Sequence, residues 1–170
     1  MRTHITNIYG HSPKSTALIA QNMTTEIGKS LGFNEVGIYA YPVSDDTEKE
    51  LRVRIDGIIS GVGFNDVVVA QFPTWNDFEF DEHLVERLKI YPNLKLVIFV
   101  HDVSPLMFSG NYYLMPRFIA LCNRADLVIL PTKAMFARLR SEGLTVKKVV
   151  IQNFGIIKQC CHIANQNLNA

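Results

Sequence analysis

The stretch VIFVHDVSPLMF, from Val97 to Phe108, decides the fold. Four apolar residues, Val97 to Val100, run without a polar interruption before His101, Asp102 and the break at Pro105. A continuous apolar run of this length reads as a strand buried on both faces. Its two polar residues then fall at the carboxyl end, which is where open α/β sheets bind ligands.

Working outward, five further runs repeat the same pattern: HITNIY, VGIYAY, DVVVAQF, DLVIL and KKVVIQ, each rich in β-branched or aromatic residues. Segments with helical periodicity separate them. The first runs from Pro13 to about Ser30, with Ser12 as N-cap, Gly32 past its end, and Ala17, Leu18, Met23 and Ile27 as its apolar stripe. A second begins after Ser44 or Asp45 and turns Leu51, Ile55, Ile58 and Ile59 inward; a third follows Asn76 or Asp77 with Phe80, Leu84, Val85 and Leu88 inward. A fourth spans Asn111 to Arg124, with Pro116 near its start, and a fifth runs from near Thr132 to Gly143. Alternation of this kind predicts one α/β Rossmann-like domain: a mostly parallel sheet with right-handed crossovers and helices on both faces.

Composition narrows the function classes. A chain of 170 residues that is 48% hydrophobic is long enough for one domain that buries roughly 70% of its unfolded surface. Seventeen basic and sixteen acidic side chains give a formal charge of +1 with no long run of either sign, so nucleic acid and anionic lipid are not expected as main partners. The start MRTHITNIYG lacks a charged leader with a long apolar core, and no segment approaches the roughly 20 apolar residues that span a bilayer. A cytoplasmic protein without a membrane span is expected. Cys122, Cys160 and Cys161 suit neither a disulfide framework nor the usual zinc spacings, and reduced thiols are the plainer reading.

If the strands are parallel, the segments that follow them lie along one edge, and the unusual polar residues collect there. After the first run come Asn7, Tyr9, Gly10, His11, Ser12, Ser15 and Thr16, leading into a helix N-terminus suited to an anion such as phosphate, or simply capped. One glycine makes neither GxGxxG nor a Walker sequence. After the third run, Gln71, Thr74, Asn76 and Asp77 surround Trp75, the only tryptophan; an aromatic ring beside amides fits a sugar face, and equally a helix cap with a hydrophobic staple. His101 and Asp102 can orient hydroxyls of a ligand, or simply finish a turn. No GxSxG is present, and one His with one Asp is too few for a metal site, so no metal is expected.

FVHDVSPLMF, RADLVILPTKAMFARLRSEGL and KKVVIQN together resemble the amino-terminal domain of retaining GT-B glycosyltransferases. More narrowly, ITNIYGHSPKSTALIAQNM, QFPTWNDFEFD and HDVSPLMFSGNYYLM resemble the glucosyltransferase 3-like family, over residues 1 to about 152. The resemblance implies transfer of glucose from a nucleotide sugar, UDP-glucose, to N-acetylglucosamine on a serine-rich repeat adhesin, with no further cofactor. It implies that the loop with Gly10, Ser15 and Thr16 faces the diphosphate or sugar of the donor, that His101 and Asp102 line the junction of donor and acceptor, and that Gln71, Trp75 and Asn76 border the acceptor.

Family members have a second Rossmann-like domain holding most donor contacts, and the segment after Asn153, FGIIKQCCHIANQNLNA, does not match it. The expectation is therefore a Rossmann-like domain over 1–152 with an irregular tail over 153–170. Such an acceptor-side half would be catalytically incomplete alone. Apolar surface that a second domain would cover, around Ile151, Phe154, Ile156 and Ile157, would then tend to self-associate. An alternative is a non-catalytic module that oligomerises or pairs with a full-length homologue.

Overall fold

The six apolar runs form six parallel strands of one sheet, in a computed structural model that describes residues 1–11, 16–40 and 45–152. The strands are β1 (Thr3–Tyr9), β2 (Asn34–Tyr39), β3 (Val67–Phe72), β4 (Lys95–Val100), β5 (Leu127–Leu130) and β6 (Val149–Ile151), in the order β2-β1-β3-β4-β5-β6. The helices are α1 (Thr16–Ser30), α2 (Glu48–Ile58), α3 (Phe78–Leu88), the single turn α4 (Ser104–Met107), α5 (Met115–Asn123) and α6 (Lys133–Ser141). This is the α/β Rossmann-like domain that the alternation predicts. The expected tail over 153–170, with Phe154, Ile156, Ile157, Cys160 and Cys161, lies outside the described residues.

Strand order fixes where the helices go. The connection β1-α1-β2 moves one way along the sheet and every later connection moves the other, so right-handed crossovers place α1 on one face and the later helices on the opposite one. Burial follows this division. Val68, Ala70, Phe72, Leu96, Ile98, Val100, Val128 and Leu130 are buried on the well-covered face, while Val67, Val69, Val97, Leu127 and Ile129 on the alternate positions are only half-buried. On the covered face α3 contributes Phe80, Leu84, Val85 and Leu88, all fully buried, each worth roughly 1.5–3 kcal/mol.

Local chemistry moves several expected boundaries. Helix α2 starts at Glu48 rather than just after Ser44 or Asp45, because Thr47 and Glu50 form a reciprocal capping box. The expected helix over 111–124 divides into a 3₁₀ segment, Ser109–Leu114, and α5, which starts at Met115 so that Pro116 occupies the first turn, where its missing N–H is harmless. Thr132 caps α6 by accepting from Met135 N. In α1 the buried residues are Leu18, Gln21, Thr25 and Gly28; Met23, expected in the apolar stripe, is exposed. The expected start of this helix, Ser12 and Pro13, lies outside the described residues.

At the amino ends of the strands, buried Asp66 ties β1 to β3. It accepts from Arg2 N, Gly63 N, the Arg2 guanidinium and His4 Nε2, and the backbone bond from Arg2 leads the contacts that hold its carboxyl well below the usual range. Cys122 is buried in the core, and burial pushes its thiol pKa up. Among the described residues, no helix is long and apolar enough to cross a membrane.

Candidate functional site

The sheet opens between β1 and β3. Their pairing ends at Ile5 with Val69, whereas β1 continues with β2 to Tyr9 and Tyr39, and β3 continues with β4 to Phe72 and Val100. The order of connection also reverses here, which is the position where open α/β sheets place their ligand crevice.

Side chains replace the missing ladder. Gln71 N donates to Thr6 Oγ1 at 2.8 Å, and Gln71 Nε2 donates to Thr6 O at 2.6 Å and Thr25 Oγ1 at 2.8 Å. The remaining amide atom, Gln71 Oε1, lies 2.8 Å from His101 Nε2. Gln71 is fully buried, so its amide faces this inner network and not the surface of the crevice. With Nε2 committed as donor, Oε1 must accept, and His101 therefore carries its proton on Nε2 and its lone pair on Nδ1. The ring is stacked on Phe99 at 4.4 Å, and burial pulls its pKa down to about 3, so His101 is neutral at physiological pH. Asp102, next along the chain, is half-buried, and burial raises its pKa. It borders an open cavity of about 400 Å³ walled by Val103, Leu106, Met107, Met135 and Arg138.

The exit of β3 carries the second group. Trp75 is half-buried with a positive φ of 64°, and its Nε1 donates to Gln21 Oε1 at 2.8 Å. Thr74 donates to Asp81 at 2.5 Å, and Asn76 N and Nδ2 reach Thr74 Oγ1 and Tyr39 O, both at 3.4 Å. Asp81 sits in α3 with burial pushing its pKa up to about 8, against the opposing hydrogen bonds from Thr74. Asp77 occupies the N-cap position of α3, but its side chain makes no capping bond.

The exit of β1 carries the third. Gly10 has φ 82°, and a Cβ there would stand 3.3 Å from Ala40 Cβ, so glycine is required on both counts. Asn7 donates to Glu35 at 3.2 Å, while its Oδ1 is buried without a hydrogen-bond partner among the described residues. Thr16 is exposed at the start of α1; Ser15 lies outside the described residues.

Thus the topology brings Gly10, Thr16, Trp75, Asn76, His101 and Asp102 to one edge, with Gln71 beneath them. Thr6 in β1 and Gln21 and Thr25 in α1, which hold this arrangement together, escaped the sequence reading; the signal for the two helical residues was polar side chains at four-residue spacing where an apolar stripe belongs. Among the described residues no group of three or more His, Cys, Asp or Glu side chains is arranged to hold a metal ion. A larger groove of about 480 Å³ between α3 and α5, lined by Glu79, His83, Glu86 and Arg117, does not include these edge residues.

Comparison with known proteins adds a family to this geometry. Residues 2–154 match the glucosyltransferase 3-like, N-terminal domain. The chain belongs to that family. Among its relatives, the protein named Glucosyltransferase 3 in Streptococcus parasanguinis is 52% identical over 152 residues, covering 89% of this chain and 46% of the relative. Glucosyltransferase 3 of Streptococcus gordonii is likewise 52% identical over 152 residues, covering 89% and 45%. This member of the glucosyltransferase 3-like family thus spans less than half the length of the curated relatives it matches.

Proposed function

We propose that this chain forms the acceptor-side half of a glucosyltransferase cleft in a GT-B arrangement. The reaction is transfer of glucose from a nucleotide sugar, UDP-glucose, to N-acetylglucosamine on a serine-rich repeat protein in the cytoplasm. The observation that carries this reading is the meeting of Gly10, Trp75 and His101–Asp102 at the strand-switch edge of a glucosyltransferase 3-like domain.

The chemistry divides between two kinds of group. Retaining transfer develops positive charge at the sugar and negative charge on the leaving diphosphate, so donors fixed in advance around that phosphate dominate. The first-turn N–H groups of α1, with Thr16 and Ser15, favour such an anion. On the acceptor side, the Trp75 ring offers an apolar face to a pyranose, Asn76 offers hydrogen bonds to hydroxyls, and the Asp102 carboxylate accepts from hydroxyls, with the buried, neutral His101 packed behind it. Gln71 acts through His101. On this reading the uridine pocket and the cations that balance the leaving diphosphate come from a second domain, so residues 1–152 alone bind acceptor but turn over poorly.

The test is transfer of radiolabelled glucose from UDP-glucose to an N-acetylglucosaminyl serine peptide, by the chain alone and with a full-length homologue. Acceptor binding without transfer by the chain alone supports the reading; absence of binding refutes it. A second reading, a module that pairs with a homologue, draws on exposed Leu106, Met107, Phe108, Tyr112 and Tyr113 beside the 400 Å³ cavity. Mass measurements on the mixture decide whether such a complex forms.

A further inference from the structure

Gln21 is fully buried in α1, at a position where an apolar side chain would pack without the desolvation penalty of an amide. Both ends of that amide are used, and both on the loop between β3 and α3. Nε2 donates to Pro73 O at 2.7 Å, and Oε1 accepts from Trp75 Nε1 at 2.8 Å. The residue between these two contacts, Thr74, is pinned from the other side of the loop by Asp81 of α3. Three consecutive loop residues are therefore fixed by buried polar partners on two helices.

This clamp explains an unfavourable backbone. Trp75 has φ 64°, a conformation that a bulky side chain adopts only where its surroundings over-determine it. Holding Pro73 O and the indole N–H from one amide fixes both the distance of the loop from α1 and the rotation of the ring. The only polar atom of the indole is turned inward, so the surface left to a ligand is carbon. An aromatic carbon surface of fixed orientation is what stacks on the apolar face of a sugar ring.

We infer that Gln21 is a positioning residue for sugar recognition, setting the plane in which Trp75 meets the pyranose of the acceptor. The inference rests on the reading of Trp75 as part of the acceptor cleft and adds to it a residue that never touches the sugar. Thr25, one turn along α1, accepts from Gln71 and so supports His101; α1 thereby aligns both acceptor-side groups from a single buried face.

Because Trp75 is the only tryptophan, its indole N–H gives one proton–nitrogen signal and reports the clamp directly. The comparison is wild type, Gln21→Met, Gln21→Glu and Trp75→Ala, with an N-acetylglucosaminyl serine peptide as probe. Gln21→Met removes both contacts at similar volume; it is expected to speed indole exchange with solvent and weaken glycopeptide binding by about tenfold each. Gln21→Glu, protonated by burial, keeps an oxygen for the indole and an O–H for Pro73 O, and restores part of both effects. If Gln21→Met leaves binding at the wild-type level while Trp75→Ala removes it, the positioning role is overturned. If Trp75→Ala binds normally, the acceptor reading of Trp75 fails instead, and unchanged indole exchange in Gln21→Met overturns the clamp on its own. Should Gln21→Met not fold, Gln21→Glu decides by the same two readouts.

Discussion

Gln71 Oε1 and His101 Nε2 lie 2.8 Å apart, and the donors on the other end of the Gln71 amide leave only one tautomer of the histidine compatible with that contact. Imidazole nitrogen shifts should therefore report a neutral His101 protonated at Nε2 from pH 5 to 8. Gln71→Leu leaves the His101 N–H and the carbonyl of Thr6 without this partner in the protein interior. It should lower stability by about 2–4 kcal/mol, read from urea unfolding. A loss below about 0.5 kcal/mol would show that water replaces the amide and that the network is not structural.

How much of this was legible beforehand depends on what each residue does in the fold. Apolar residues spaced for burial, such as Leu51 and Ile55 or Leu84 and Leu88, place their helices correctly because burial is what the periodicity encodes. The edge that gathers His101, Trp75 and Gly10 follows from parallel alternation alone. The polar inner face of α1 does not follow. Gln21 and Thr25 occupy core positions because two strands part at the switch point, and only the tertiary structure creates those unpaired groups. For the same reason Met23, expected in the apolar stripe, is exposed, and Gln71, expected at the border of the acceptor, is buried. The start of α2 depended on a reciprocal contact between Thr47 and Glu50, a pattern present in the sequence but weaker than the apolar run behind it.

Asp81 and His101 give the stability opposing pH slopes. From about pH 4 to about 8 the folded protein keeps a proton on Asp81 that the unfolded chain has released, so stability falls as pH rises, by up to about 1.4 kcal/mol per pH unit. Between about 3 and 6.5 the unfolded chain binds a proton at His101 that the folded protein does not, so stability rises with pH. The two oppose up to 6.5, and above it the Asp81 slope is no longer offset by His101. Asp81→Asn, which retains an acceptor for Thr74, should abolish the fall in urea midpoint between pH 6.5 and 8. Identical declines in wild type and variant would remove Asp81 as its source.

Gly10→Ala tests the turn that leads to α1. A positive φ of 82° and Ala40 Cβ at 3.3 Å both oppose a side chain there, and Ala40 belongs to the segment after β2 that cannot retreat without breaking its bond to Tyr9 O. Destabilisation of about 1–2 kcal/mol is expected, with a lower melting temperature. Gly32→Ala provides the control: its φ is also positive, but no atom stands within 4 Å of its added Cβ, so it should cost about 1 kcal/mol or less. Equal losses at the two positions would mean that backbone conformation alone, and not contact with Ala40, constrains Gly10.

Asp102 governs how acceptor binding responds to acid. Its carboxyl is half-buried and its pKa is raised by burial, whereas His101 next to it stays neutral down to about pH 3. Lowering the pH from 7 therefore neutralises Asp102 before it charges His101. An ionised carboxylate accepts stronger hydrogen bonds from sugar hydroxyls than a neutral acid does, so affinity for the N-acetylglucosaminyl serine peptide should weaken as pH falls through the Asp102 pKa. The change expected is about tenfold. In Asp102→Asn the affinity should start lower and stay flat over the same range, while the Nε2–H signal of His101 remains in place because its partner Gln71 is untouched. If wild type and Asp102→Asn bind with the same affinity and the same response to pH, Asp102 does not contact the acceptor, and the polar wall of the cleft has to be sought at Asn76 and Asn7 instead.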